Sequence, residues 1–98
     1  MTARRVTFQG WKCRVVRASY GNTGRIALPL YDVEDGSPVA TATVNMPELS
    51  LALDEVVIKN YSENEGMLDL LMAEGIISPP LGEVSSGYVT LYICRCLL

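Results

Sequence analysis

The sequence predicts an α+β fold: a mostly antiparallel sheet of about five to six short strands packed against one helix at about residues 62–75. Three observations carry that expectation. Residues 4–46 alternate apolar and polar positions with a period of two, as half-buried strands do, and Gly-containing turn sequences interrupt them at hairpin spacing. A single later segment, "SENEGMLDLLMAEG", carries the helical period. The closing run, "YVTLYICRCLL", is apolar on both faces, which fits a strand covered on each side. The 98 residues are expected to form one domain, 1–98. A chain of that length buries roughly 60–65% of the surface it exposes when unfolded.

Taken in order, "RRVTFQG" puts Val6 and Phe8 on one side and Thr7 and Gln9 on the other, and Gly10 interrupts it. "WKCRVVRASY" resumes the alternation, with Trp11, Cys13 and Val15 inward and Lys12 and Arg14 outward. "GNTG", residues 21–24, is a hairpin turn, because Gly and Asn tolerate positive φ. "RIALPLYD" aligns Ile26, Leu28 and Leu30, and Pro29 gives it an open side or an end, since proline donates no ladder hydrogen bond. "VEDGSP" is a second turn centred on Asp35-Gly36. "VATATVNM" is the fourth strand; its small inward Ala40 and Ala42 leave room for the helix to approach. "PELSLALD" is an irregular connector, "EVVIKNY" a short fifth strand, and "SPPLGEVSSG" a loop before the closing strand.

The helix itself is expected to start at Ser62. Ser62 and Glu65 have the S-x-x-E spacing of a capping box, in which each side chain accepts from the other residue's amide. On that reading Ser62→Ala costs about 1 kcal/mol, and Glu63 and Glu65 lie at the positive end of the helix dipole. Met67, Leu68, Leu71 and Met72 form the buried stripe with Leu70 beside it; Glu65 and Asp69 share the opposite side, and Gly75 stops the helix.

Much chemistry is excluded by composition. With no histidine there is no Ser-His, Cys-His or HExxH arrangement. Cys13, Cys94 and Cys96 are an odd number without CxxC spacing; Cys94 and Cys96 point to one face of a strand, so the expectation is reduced, buried thiols and no metal site. "GNTG" lacks the lysine and Ser/Thr of a phosphate-binding loop. The acid pairs Glu34/Asp35, Asp54/Glu55 and Glu63/Glu65 are explained by turns and caps, with no EF-hand spacing and no sign of a catalytic cleft, so no enzyme activity and no cofactor are expected. No apolar run approaches the roughly 18–20 residues of a membrane helix, and the two arginines of "MTARRVTFQG" are not followed by an apolar signal core, so export by that route is not expected.

Charge is unevenly distributed along the chain. Residues 1–25 hold Arg4, Arg5, Lys12, Arg14, Arg17 and Arg25 and no acid; residues 26–98 hold eleven carboxylates against Lys59 and Arg95, a balance of −9, and the net charge is −3. An acidic surface of this kind either keeps a small domain soluble or stands in for the phosphates of DNA in a cation-lined channel of another protein. The basic first quarter offers a second route, direct phosphate contact through Arg4, Arg5, Lys12 and Arg14.

"YDVEDGSPVATATVNMPE", "LALDEVVIKNYSENEGMLDLLMAEGII" and the late "GYV" resemble a family of small bacterial proteins carried by phages, plasmids and integrative conjugative elements. The likeness spans roughly residues 4–97, and its most specific piece is VxIKxYSENEGM, Val56 to Met67. Some small proteins of this kind resemble anti-CRISPR inhibitors. The resemblance implies a monomeric protein of the bacterial cytoplasm that binds a host CRISPR-Cas effector subunit, or another DNA-handling defence protein, and blocks target DNA binding. It implies no catalytic residue, metal, cofactor, membrane contact or direct nucleic-acid contact. The contacts it points to are Glu34, Asp35, Asp54, Glu55, Glu63, Glu65 and Asp69. The alternative is a nucleic-acid-binding accessory protein of the mobile element that uses the basic N-terminal strands.

Overall fold

The computed structural model describes residues 3–98. The first hairpin forms from the predicted alternation: β1 (Ala3–Phe8) pairs antiparallel with β2 (Trp11–Val16), Val6 opposite Cys13 and Phe8 opposite Trp11. Gln9 and Gly10 are its two-residue turn, both at positive φ (50° and 84°), the pattern whose twist matches the flanking strands. Val6, Phe8, Cys13 and Val15 are buried. Trp11 is not: as the first residue of β2, beside the turn, it lies beyond the cover of the core and is 56% exposed, so the expected inward placement is corrected.

Pro29 divides the next strand in two. β3 (Ala18–Ser19) and β4 (Ile26–Ala27) form a separate two-stranded ribbon closed by the 21–24 turn, with Gly24 N–H donating to the Tyr20 carbonyl. After Leu28 the chain joins the larger sheet as β5 (Pro29–Asp32), between β2 and β6 (Pro38–Thr41), giving the order β1-β2-β5-β6. Leu28 belongs to neither ladder, and its buried N–H donates instead to Thr43 Oγ1. The 33–37 turn closes with Gly36 N–H on the Asp32 carbonyl and Asp32 N–H on the Ser37 carbonyl.

The third sheet has the order β7-β9-β8. β7 is Glu55–Ile58, β8 Gly82–Ser86 and β9 Val89–Arg95, with β9 central as its two apolar faces require. Thr43 bridges to Ile58, and Val44 N–H and Lys59 N–H donate to the Val57 and Ala42 carbonyls, which links this sheet to the segment leaving β6. Nine strands in three antiparallel sheets therefore stand where five to six were expected, among the described residues. The gain comes from the split at Pro29, from the division of "WKCRVVRASY" into β2 and β3 at Arg17, and from β8. "GEVSS" was expected to be a loop because its side chains are polar and small, yet it pairs with β9 as an edge strand, the place where such residues are tolerated.

The helix is shorter than predicted. α1 runs Met67–Ala73, preceded by a 3₁₀ turn at Ser62–Asn64 and by Gly66 in the left-handed region at φ 89°. Met67, Leu68 and Leu71 are buried, with Leu70 and Met72 packed against the core, as the apolar stripe predicts. Ser62 makes no cap; it sits at φ 56°, and the second amide of the helix, Leu68 N–H, donates to Asn60 Oδ1 at 2.8 Å. The capping box is thus replaced by an asparagine seven residues before the first helical residue. Asn60→Ala is expected to cost about 1 kcal/mol through the lost cap. Ser62→Gly should hold or raise the melting temperature, because glycine adopts positive φ without strain. Thermal melts of both variants check the assignment; equal losses would return the cap to Ser62.

The core lies where the three sheets and α1 meet. Leu28, Leu30, Ile58, Met67, Leu71 and Ile76 are all completely buried in one cluster. At roughly 1.5–3 kcal/mol for each fully buried large aliphatic side chain, these residues dominate the folding free energy. No described helix is long and apolar enough to cross a membrane.

Candidate functional site

Seven carboxylates were singled out by sequence, and the fold treats them differently. Asp54 pairs with Arg95, Oδ2 to Nε at 2.9 Å, and Glu55 Oε1 accepts from Ala52 N–H at 2.7 Å. Both lie at the start of β7, opposite the end of β9, with Glu55 in register with Arg95. Their roles are local, and a cation stands among them.

The other five occupy two segments that meet at the β1–β2 turn. Gln9 Nε2 donates to the Glu63 and Glu65 carbonyls, 3.1 Å each, and so clamps the 3₁₀ segment against the tip of the first hairpin. On the other side of that tip, a depression of about 270 Å³ is lined by Gly10, Trp11, Lys12, Asp32 and Glu34. Glu34 therefore lies beside this turn, with Asp35 next to it in the 33–37 turn, while Glu63 and Glu65 are clamped to Gln9 and Asp69 is on the exposed first turn of α1. Gln9 holds φ 50° in the hairpin turn, and the two bonds it donates help offset that strain.

Local hydrogen bonds favour the ionised form of two of these acids, Asp35 and Glu63. The Ser37 backbone amide, and then its hydroxyl, holds the Asp35 carboxyl below the usual carboxylate range. The Lys59 ammonium, 2.6 Å from Glu63 Oε2, does the same for Glu63 and is itself raised above the usual lysine range, chiefly by that bond. Lys59 also lies 5.0 Å from the Tyr61 ring centroid. The lowered Glu63 value makes its contribution to stability present above the ordinary glutamate range and lost as pH falls through the folded value. The raised Lys59 value makes its contribution lost only as pH rises through that group's own titration. Solvent screens so exposed a pair, and the net effect is small.

The cations of the first quarter also divide. Arg4 Nη2 donates to the Glu74 carbonyl at 2.6 Å, at the end of α1, and Arg17 Nη1 to the Leu98 carbonyl at 2.8 Å. Arg25 Nη1 donates to the Met46 carbonyl at 2.6 Å, and its Nη2 to the Leu49 carbonyl. Arg5, Lys12 and Arg14 are exposed and make no side-chain hydrogen bond or ion pair among the described residues. Thus three of the six cations lock distant carbonyls and three stand free.

The three cysteines are free and buried; burial raises the Cys13 thiol and pushes Cys94 up to about 11, so neither supplies a thiolate nucleophile near neutrality. Among the described residues no group of three or more carboxylate or thiol side chains is placed to hold a metal ion. Sequence reasoning missed Gln9, Asn60 and Asn64. The polar turn "QG" was a visible signal for the first; the partners of the two asparagines lie outside any local motif. No protein-family model, curated protein or solved structure matches this chain.

Proposed function

We propose that the protein is a non-enzymatic inhibitor of the anti-CRISPR type, carried by a mobile element. It presents an acidic surface to the cationic DNA site of a host CRISPR-Cas effector or another DNA-handling defence protein. The observation that carries this reading is the Gln9 clamp, which fixes the 63–65 segment against the β1–β2 turn, whose Gly10 lines one depression with Glu34. A fixed acidic segment competes with phosphates better than a mobile one, because little loop entropy remains to be lost on binding. The contact set is Glu34, Asp35, Glu63, Glu65 and Asp69. Asp54 and Glu55 are left out because the Gln9 clamp does not hold their segment; Arg95 pairs with Asp54 as Lys59 does with Glu63.

Occupation of an arginine- and lysine-lined channel by these groups is electrostatic, so affinity falls as salt rises past the roughly 10 Å screening length reached at 0.1 M. The test is a purified DNA-targeting effector complex, with and without the protein, assayed for target-duplex binding at low and high salt. Wild-type protein is expected to displace the duplex stoichiometrically at low salt. The Glu63→Lys/Glu65→Lys/Asp69→Lys variant should remain folded and lose the effect. Inhibition retained by that variant would remove this surface from the mechanism.

A further inference from the structure

The outer face of the four-stranded sheet is not used by the acidic surface, and its side chains are arranged in an unfavourable way. Arg5 and Arg14 are direct cross-strand partners, as are Thr7 and Lys12, and Arg14 is in turn opposite Tyr31 on β5. Like charges directly opposite one another on a sheet are destabilising. Neither arginine nor Lys12 has a direct ion-pair partner among the described residues. A structural role leaves this pairing without a reason, whereas a bound polyanion supplies one.

Aromatic surface adjoins these cations. Lys12 lines both the depression shared with Arg5 and Thr7, about 260 Å³, and the one shared with Trp11. Trp11, the single tryptophan of the chain, also borders a third depression with Pro38 and Val39. Cations that follow a backbone next to exposed rings are the combination that holds single-stranded nucleic acid, because every unpaired base has a face to stack. A duplex keeps its base faces stacked inside and gives Trp11 and Tyr31 nothing to grip. Glu74 at one side of the face, and Asp32 and Glu34 at the Trp11 end, repel phosphate and limit the path to a few nucleotides.

We infer that the Arg5–Arg14–Lys12 face, with the half-buried Tyr31 on it and Trp11 reaching the Lys12 depression from the opposite side of β2 at the hairpin end, binds a short single-stranded nucleic-acid segment. This second surface adjoins the acidic one at the depression that Trp11 and Lys12 share with Glu34. The pair of surfaces on one molecule suits a nucleoprotein target, where a cationic channel and an unpaired strand lie side by side.

The emission of Trp11 reads the site directly. Titration with a short oligo(dT) is expected to quench it, and a blunt duplex of equal length should bind more weakly with little quenching. With three cations on a single strand at about 0.7 each, the log–log salt slope should be about −2. Arg5→Ser/Arg14→Ser should bring the slope to about −0.7, while melting at or above the wild-type temperature because the like-charge contact is gone. Trp11→Ala, followed by anisotropy of labelled oligo(dT), should lose about tenfold in affinity, within the range for one stacked base. Glu63→Gln/Glu65→Gln/Asp69→Asn should leave oligonucleotide binding intact, which separates failure of this inference from failure of the inhibitor reading. Absence of quenching and of anisotropy change at low salt overturns the inference. So does duplex binding equal to that of oligo(dT), or a salt slope that Arg5→Ser/Arg14→Ser leaves unchanged.

Discussion

Thr43→Val is expected to destabilise the protein by about 2–3 kcal/mol, although it replaces a buried polar residue with an apolar one of the same shape. The Thr43 hydroxyl accepts from Leu28 N–H at 3.2 Å and shares a hydrogen bond with Tyr20 Oη at 2.8 Å. Tyr20 keeps a second acceptor, the Thr43 carbonyl at 3.1 Å, so the phenol is not orphaned by the change. Leu28 has no such reserve. It lies between two ladders, is completely buried, and its N–H has no other acceptor among the described residues. Removing one partner while leaving the other dry incurs the full desolvation penalty of the survivor, about 1–3 kcal/mol. Thr43→Ser keeps the acceptor and loses a methyl, for about 1 kcal/mol. Chemical denaturation of the two variants therefore gives the serine protein as the more stable, the reverse of a ranking by hydrophobicity. If valine is the milder change, Leu28 has found another acceptor and the joint between the sheets is not held as described.

That joint shows how far local pattern could lead. Proline chemistry alone predicted that the strand containing Leu28 and Leu30 would be opened or ended at Pro29, and there the chain passes from ribbon to sheet. The alternation of Val6 with Phe8, and of Cys13 with Val15, predicted their burial, and the helical stripe of Met67, Leu68 and Leu71 did likewise. Period-based reasoning failed at Trp11 because alternation gives a side but not a cover, and the first residue after a hairpin turn extends past the core. It failed at Gly82–Ser86 because an edge strand needs only backbone partners, which leave no mark on side-chain composition. The helix start was misread for a related reason: "SENE" matches a local capping box, but Gly66 takes the left-handed turn and Asn60 satisfies the helix from outside.

The candidate surface was legible as a list of acids and not as an arrangement. Gln9 and the 63–65 segment are separated by more than fifty residues, and nothing in either stretch names the other. Likewise the division of the basic residues into carbonyl locks and free cations depends on where residues 46, 49, 74 and 98 come to rest. Summed charge along the chain treated Arg4 and Arg5 alike; the fold gives one to the end of α1 and the other to solvent.

Asn64 links stability to the acidic surface, and its replacement is expected to affect both. Its side chain is 1% exposed and donates through Nδ2 to the Thr41 carbonyl at 2.7 Å, fixing the 3₁₀ turn to β6. Asn64→Ala removes that bond and leaves a void, together about 2–4 kcal/mol. Asn64→Asp is more informative. A carboxylate is nearly isosteric but has no proton to give, so it faces the Thr41 oxygen as an unsolvated charge, and its folded pKa must rise above the ordinary aspartate value of about 3.9. A raised folded value means stability present below the unfolded pKa and lost as pH rises through the folded one. Relative to wild type, the variant should therefore be nearly normal below about pH 4, where the protonated acid can donate to Thr41, and several kcal/mol weaker near neutrality. Guanidinium melts of the two proteins at pH 3.5 and 7 measure the difference. A deficit that does not depend on pH would mean that the new side chain has turned to solvent. In that case the 63–65 segment is free of β6, and the Gln9 clamp alone holds Glu63 and Glu65 at the surface proposed for the partner.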